Sequence, residues 1–179
     1  MSTPIAFAIA AGTIRDRARL AEPTDTVAGF HSVATRRWED GMALAGHSDA
    51  TTAAVYMLGY GAEIALKIAT CELLGVPPSA DPWAWLGSRL SSFGLSGLRD
   101  VRTHDVRDLW RQASDRREGL GLDLRDPAFH GALQFHAWRV YTNWWEELRY
   151  KNVVATPTEV AEAAESSFWL LTNLTEIYQ

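Results

Sequence analysis

Apolar residues recur at intervals of three and four positions from residue 24 to the end of the chain, without the alternation typical of strands. Such spacing places side chains on one face of an α-helix. The first stretch predicts a helix over residues 24–46, with an inner face made of Val27, Phe30, Ala34, Trp38, Met42 and Ala45. Gly46, His47 and Ser48 then interrupt the pattern.

The second predicted helix differs from the first because it is apolar on nearly every side. Asp49 is placed to cap its start, and the pattern continues to about Leu74. Gly75 ends this helix, and Pro77-Pro78 prevents it from resuming. A helix without a polar face is typical of the centre of a domain.

The remaining pattern predicts three more helical segments after a less regular stretch. Residues 79–98, which contain several Ser, Gly and Pro, predict a short helix and a covering loop. A third long helix begins near Thr103, stops in the stretch 118–121, and has an inner side formed by Val106, Leu109, Trp110 and Ala113.

Two start signals open the last helices. Proline suits a first helical position, so Asp126-Pro127 predicts a helix start, followed by a stripe of Leu133, Ala137, Val140, Trp144 and Leu148. Thr156-Pro-Thr-Glu159 has the form of a capping box. The helix it opens is predicted to bury Val160, Ala164, Phe168, Leu171 and Leu174.

These elements predict an all-α fold, a bundle of about four long helices plus short ones, in one domain over residues 24–179. Residues 1–23 are interpreted as a weakly ordered or peripheral extension. Their apolar run Ile5–Ala11 has no Lys or Arg before it, which argues against a signal peptide, and it is too short to span a membrane.

Composition narrows the functional classes. The net charge is −5, with 17 basic and 22 acidic residues, so the chain lacks the overall positive charge typical of nucleic-acid-binding proteins. The single cysteine, Cys71, excludes an internal disulfide and fits a reducing compartment such as the cytoplasm. Eight tryptophans indicate that large flat side chains fill gaps in the core or an interface.

A polar stripe runs along the otherwise apolar second helix. Its members follow spacings of four, three, four and three and therefore share one face: Tyr56, Tyr60, Glu63, Lys67 and Thr70. Glu63 and Lys67 form an i, i+4 pair whose charges are expected to be partly buried. Either this pair sets the register of neighbouring helices, with Gly59 and Gly61 allowing close approach, or one of its members meets a ligand in a cleft.

The segment Trp38–Leu74 resembles the first two helices of the HEPN family, small helical proteins often encoded beside nucleotidyltransferases or in prokaryotic defence loci. The likeness lies in Ala53-Ala-Val-Tyr-Met-Leu-Gly-Tyr-Gly-Ala-Glu-Ile-Ala-Leu-Lys67. It continues in the helix start Thr103–Leu109, the triplet Leu148-Arg-Tyr150 and the closing helix. The resemblance implies a helical bundle that commonly dimerises. HEPN proteins include metal-independent ribonucleases as well as noncatalytic partners and binding modules.

The catalytic HEPN pattern is an Arg, four to six residues and a His, usually with a polar residue directly after the Arg. In such a pair the His moves a proton at a ribose 2′-hydroxyl and the Arg holds the phosphate. Arg149 has no histidine after it, which favours a noncatalytic module. Arg99 and His104 do match the spacing. The alternative for His104 and Asp105 is a structural place in the first turn of the third helix.

Other candidates point to no further chemistry. Arg99, Arg102, Arg107 and Arg111 alternate with aspartates, so a solvated mixed-charge face is favoured over a phosphate site. His130 and His136 are six residues apart and cannot share a helix face, so no metal site and no cofactor are predicted. Trp138, Trp144 and Trp145 could stack on bases, but a core or dimer interface is favoured.

The sequence therefore predicts a noncatalytic HEPN-like module that acts as a homodimer and binds a nucleotide, RNA or a partner protein such as a nucleotidyltransferase. The alternatives are a metal-independent HEPN ribonuclease, acting as a toxin or defence effector, and a helical interaction module without a nucleic-acid role. The binding residues are predicted to be Tyr60, Glu63, Lys67, Asp105, Arg149 and Tyr150, with Glu63, Lys67 and Arg149 approaching one another beside Tyr60. Arg99 and His104 are the catalytic candidates.

Overall fold

The computed structural model describes residues 26–81, 106–152 and 154–179, and of Leu124 and Arg125 it describes the backbone alone. Within these ranges the chain is helical and contains no strand, which confirms the all-α prediction. The helices are α1 Val27–Ala45, α2 Thr51–Leu73, α3 Val106–Gly119, α4 Leu122–Arg125, α5 Pro127–Asn143, a 3-10 helix Glu146–Tyr150, α6 Pro157–Thr172 and α7 Leu174–Tyr178.

Helix α2 lies at the centre of the fold, as its apolar composition predicts. Every residue from Gly61 to Cys71 is buried. Helices α1, α6, α3 and α7 and the 3-10 helix all pack against it, and α5 packs between α6 and α3. The segment that follows α2 returns to the start of α1, where the amides of Val27 and Ala28 donate to the carbonyls of Ala80 and Pro78. The described residues include no helix that combines the length and the apolar character needed to cross a membrane.

Two glycines of α2 allow its neighbours to approach closely. A Cβ on Gly61 would lie 3.1 Å from the carbonyl oxygen of Ala34 in α1. A Cβ on Gly59 would overlap the indole ring of Trp144, whose Nε1 donates to the Tyr56 carbonyl at 2.9 Å. The prediction that these glycines serve close packing is confirmed, and at Gly59 the partner is a single tryptophan after the end of α5.

Most of the predicted helix ends are confirmed. The Asp126 side chain accepts from the Phe129 amide at 3.0 Å, with Pro127 at the first helical position. Thr156 and Glu159 form the complete capping box at the start of α6. The predicted cap at Asp49 is wrong, because α2 begins after Ala50 without a side-chain cap. The first turn of α2 is tied to the chain before α6 instead, since the Thr51 hydroxyl donates to the Ala155 carbonyl at 2.7 Å.

Three inner faces differ from their predictions. In α1, Met42 is 41% exposed, and the neighbouring Gly41 is buried instead. Helix α5 ends at Asn143, so Trp144 and Leu148 are buried from the connection and the 3-10 helix that follow. In α6, Phe168 is 50% exposed, and the buried face is shifted in register to Val160, Ala163, Ser166, Ser167 and Leu170. Periodicity alone missed this shift because Ser166 and Ser167, which are small and polar, occupy the inner positions of a crowded contact.

Replacement of Gly59 by Ala is expected to lower the free energy of unfolding by about 1–3 kcal/mol, because the added methyl group must displace the Trp144 ring. Gly119→Ala is the matched control, since a Cβ there meets nothing within 4 Å, and it should be neutral or stabilise by about 0.5–1 kcal/mol. Urea denaturation of both variants measures the difference. Equal stabilities would show that Trp144 can move away without cost.

Candidate functional sites

Glu63 and Lys67 form an ion pair inside the bundle. Their residues are 0% and 3% exposed, and Lys67 Nζ donates to Glu63 Oε1. They lie one turn apart on α2, so the helix itself brings the charges together. Side chains this deeply buried do not meet a ligand arriving from solvent, which favours the structural interpretation of the pair.

Tyr60 lies one turn before Glu63, at the half-buried edge of α2. The Arg37 guanidinium lies 5.9 Å from the centre of its ring, and the ring stacks with that of Tyr56 at 6.2 Å. Burial raises the pKa of the Tyr60 phenol, and the charge of Glu63 raises it further. The positive charges of Arg37 and Arg149 act in the opposite direction. Tyr60 therefore lies within electrostatic reach of Glu63, Arg37 and Arg149.

Arg149 is held at this edge by the 3-10 helix. Its Nη2 donates to Glu146 Oε1 at 2.7 Å, and its guanidinium lies 4.7 Å from the ring centre of Tyr150. Loss of hydration would lower the pKa of Arg149, but the neighbouring Tyr56, Tyr150 and Glu146 favour its charged form and together raise the pKa. Of the predicted binding residues, Tyr60, Arg149 and Tyr150 thus lie on one surface, and Glu63 lies behind Tyr60.

A second polar cluster lies where α3, α4, α5 and α7 meet. Asp123 contacts two side chains, because its Oδ1 accepts from Arg117 Nε at 2.7 Å and its Oδ2 lies 3.1 Å from His130 Nδ1. Arg117 also donates from Nη1 to the carbonyls of Glu176, at 2.8 Å, and Ile177. A pocket of about 210 Å³ opens beside this cluster, lined by Arg117, Leu122, Asp126, Phe129, Glu176 and Gln179.

Sequence reasoning missed this cluster. From the sequence, His130 is predicted only not to bind a metal, and the predicted catalytic pair is Arg99 and His104. The catalytic HEPN spacing also occurs at Arg125-Asp-Pro-Ala-Phe-His130, which has four intervening residues and a polar residue directly after the arginine. Arg125 ends α4 and His130 lies in the first turn of α5. The spacing itself was the available signal, and the burial of Asp123 against His130 could not be foreseen.

Three of the predicted site residues cannot be placed in the fold. Arg99, His104 and Asp105 lie outside the described residues, so their predicted roles stay predictions. Among the residues that the structure describes, no group of three His, Cys, Asp or Glu side chains could hold a metal ion.

Two further titratable groups, Cys71 and His136, are enclosed by the helices. Cys71 is 1% exposed, and burial raises the pKa of its thiol to about 12. His136 is 8% exposed, its Nδ1 lies 3.2 Å from the hydroxyl oxygen of Ser166, and its ring stacks on Trp169 at 4.6 Å. Burial lowers the pKa of His136, against the opposing charge of Glu165 and together with that of Arg139.

No protein-family profile, characterised protein or solved structure matches this chain.

The lowered pKa of His136 predicts a pH-dependent stability. The unfolded chain gains a proton near pH 6.5, whereas the folded protein resists it, so the free energy of unfolding falls as the pH drops below about 6.5. The loss is about 1.4 kcal/mol for each pH unit between the two pKa values. His136→Gln keeps a polar side chain but does not titrate, and should lose less stability than the wild type from about pH 7 to about pH 5. Urea denaturation at each pH measures the free energy of unfolding of both proteins. If it falls equally with pH in His136→Gln and in the wild type, the assignment to His136 is contradicted.

Proposed function

We propose that this chain is a HEPN-like domain that cleaves RNA, with His130 as the proton-transferring residue. The observation that carries the proposal is the 3.1 Å contact between Asp123 Oδ2 and His130 Nδ1, at a histidine that follows Arg125 with the HEPN spacing. The expectation of a noncatalytic module depended on the missing histidine after Arg149. The HEPN spacing from Arg125 to His130 supplies a histidine elsewhere in the chain, so the missing histidine after Arg149 no longer argues against catalysis.

The geometry suits a general base. Asp123 Oδ2 lies 3.1 Å from His130 Nδ1 without closing a hydrogen bond to it. When that hydrogen bond forms, the carboxylate favours the tautomer with the proton on Nδ1, which leaves the lone pair of Nε2 able to accept a proton. The His130 side chain is 32% exposed, so it is open to a substrate. Asp123 is 13% exposed and is also held by Arg117, so its orientation is fixed.

The proposed reaction is attack by a ribose 2′-hydroxyl on the adjacent phosphate. The proton of the hydroxyl passes to His130 Nε2 as its oxygen bonds to phosphorus, and the bond from phosphorus to the 5′-oxygen breaks. The leaving oxygen takes up a proton from water. The products are a 2′,3′-cyclic phosphate and a 5′-hydroxyl, without any change in oxidation state.

The HEPN pattern assigns the phosphate-binding cation to Arg125. Arg117 is less suited to this role, because its guanidinium is already bound to Asp123 and to two carbonyls of α7. A buried arginine with these partners holds the C-terminal end of a helix and orients Asp123.

We expect the protein to cleave single-stranded RNA in the presence of chelator and to leave a 2′,3′-cyclic phosphate. His130→Ala should reduce the rate by about 10²–10⁴-fold because the base is lost. Asp123→Asn should also slow cleavage: its amide oxygen can still accept from Arg117, but its NH₂ group would face Nδ1 and shift the ring proton to Nε2. Product analysis by mass spectrometry and rates from labelled RNA provide the measurements.

His47→Ala is the matched control, since His47 is exposed in the turn between α1 and α2. It should cleave at the wild-type rate. Circular dichroism establishes that each variant is folded. Cleavage that survives His130→Ala but is lost in His104→Ala would assign the activity to the Arg99–His104 pair and overturn the proposal. Absence of cleavage by the wild type would leave the noncatalytic module as the better interpretation.

We also propose that the domain forms a symmetric homodimer through the outer face of α5. Phe135 and Trp138 are each 55% exposed, and Thr142 continues the same exposed stripe. Neighbouring exposed aromatic residues are unusual on a monomer surface and are typical of interfaces. Arg139 and Glu165, paired at 2.7 Å beside this stripe, offer charges of both signs to a second copy.

Light scattering at micromolar concentration is expected to give twice the mass of one chain. Trp138→Glu should shift the protein to the monomer, because the added carboxylates would be desolvated against each other at a symmetric interface. Trp145→Glu is the control: Trp145 is also largely exposed, at 46%, but lies beyond the end of α5. A monomeric wild type, or an equal effect of both substitutions, would contradict this interface.

A further inference from the structure

We infer that Trp169, in α6, is a positioning residue for the Asp123–His130 pair, on which it acts through Phe129 and Arg117. The inference rests on the proposed function, because His130 is the residue that moves the proton in the proposed reaction. Trp169 is half-buried and packs against the hydrophobic core. Its contacts give it a second role besides this packing, because they lead from ring to ring to the carboxylate of Asp123.

The indole of Trp169 contacts two rings of α5. Its centre lies 4.6 Å from that of the His136 ring, with the two planes 17° apart, and 5.4 Å from that of the Phe129 ring, with the planes 37° apart. Phe129 and His136 are seven residues apart, which is close to two turns of an α-helix, so both rings lie on the side of α5 that faces α6. One indole therefore constrains the rotation of α5 about its axis and its position along α6.

Phe129 passes this constraint on to Arg117. The Arg117 guanidinium carbon lies 5.1 Å from the centre of the Phe129 ring, within the range of a cation–π interaction. Arg117 is 3% exposed, and such interactions are stronger when the cation is removed from water. The Nε of Arg117 donates to Asp123 Oδ1 at 2.7 Å. The place of the Phe129 ring therefore helps to decide where the Asp123 carboxylate lies.

The other end of the pair is set by the same stack of rings. His130 directly follows Phe129 in the first turn of α5, so a movement of Phe129 carries His130 with it. Asp123 Oδ2 is within hydrogen-bonding distance of His130 Nδ1, but the bond is not closed. Hydrogen bonds weaken steeply as their angle departs from linear, so small displacements of either residue decide whether this one forms.

Contacts beyond Trp169 hold the stack in place. His136 is 8% exposed, its Nδ1 lies 3.2 Å from the Ser166 hydroxyl oxygen of α6, and the Phe135 ring meets it edge-on at 5.0 Å. The His136 ring is thus fixed against the indole from both helices. Because Trp169 has a fixed partner on one side and the support of Arg117 on the other, its removal should loosen the site as well as the core.

NMR of protein labelled with ¹⁵N in its histidine rings shows which nitrogen of neutral His130 carries the proton, and His130→Ala identifies the signals. We expect the wild type to hold the proton on Nδ1, facing Asp123, and Trp169→Leu to shift it towards Nε2. In RNA cleavage the kcat of Trp169→Leu should fall at least about tenfold with KM nearly unchanged, since a misplaced base slows the chemical step without weakening substrate binding. Trp169→Phe keeps a ring on Phe129 and should restore most of both.

Trp38→Leu is the matched control. Trp38 is also half-buried and also pairs with a tilted ring, that of Phe168 at 5.2 Å, but it packs on α6 from α1. It should change neither the tautomer of His130 nor kcat. Circular dichroism establishes folding, and if Trp169→Leu does not fold, Phe129→Leu takes its place because it breaks the same stack at the next ring.

The inference is overturned if wild-type His130 carries its proton on Nε2, if Trp169→Leu leaves the tautomer unchanged, or if Trp38→Leu shifts it equally. A shifted tautomer with an unchanged kcat, in a protein that cleaves RNA, would also overturn the role of Trp169 in the reaction. The tautomer is measured without RNA. A wild type that does not cleave would therefore contradict the proposed function, while the NMR comparison would still decide whether Trp169 positions the pair.

Discussion

The burial of α2 on all sides from Gly61 to Cys71 is the constraint on which the rest of the fold depends. A helix enclosed in this way needs neighbours whose backbones come close to it, and Gly61 and Gly59 allow this against α1 and Trp144. The Trp144 contact has a further effect, because it fixes the connection between α5 and the 3-10 helix. Because Gly59 has no side chain, Trp144 can pack there, and this contact helps to set the position of Arg149 on the surface.

The same enclosure explains the Glu63–Lys67 pair. Moving two charges out of water costs several kcal/mol each, and their mutual attraction does not reliably exceed this cost. A buried pair of this kind is therefore weak evidence for stability and better evidence for specificity, since any shift of α2 in register would move a charge into an apolar contact. We interpret the pair as a register-setting device at the centre of the bundle, with the half-buried Tyr60 as its link to the surface.

The sequence was sufficient to predict the long helices, the capping box at Thr156 and the central place of α2, because these features depend on neighbours close in the chain. It was insufficient where distant segments compete for space. Ser166 and Ser167 face inward and Phe168 outward because α6 must fit closely against other helices. The candidate sites divide in the same way. Glu63, Lys67 and Arg149 were predicted to approach one another beside Tyr60, whereas the contact between Asp123 and His130 exists only after α4 and α5 have folded together.

The enclosed thiol of Cys71 gives the protein an internal reporter of its own motions. It is the chain's one cysteine, it is 1% exposed, and its pKa of about 12 leaves almost no thiolate at neutral pH. Alkylating reagents attack the thiolate, so they modify this residue only in molecules whose α2 has temporarily separated from its neighbours. The rate at which Cys71 is alkylated therefore measures how often α2 separates from its neighbours, and no engineered probe is needed.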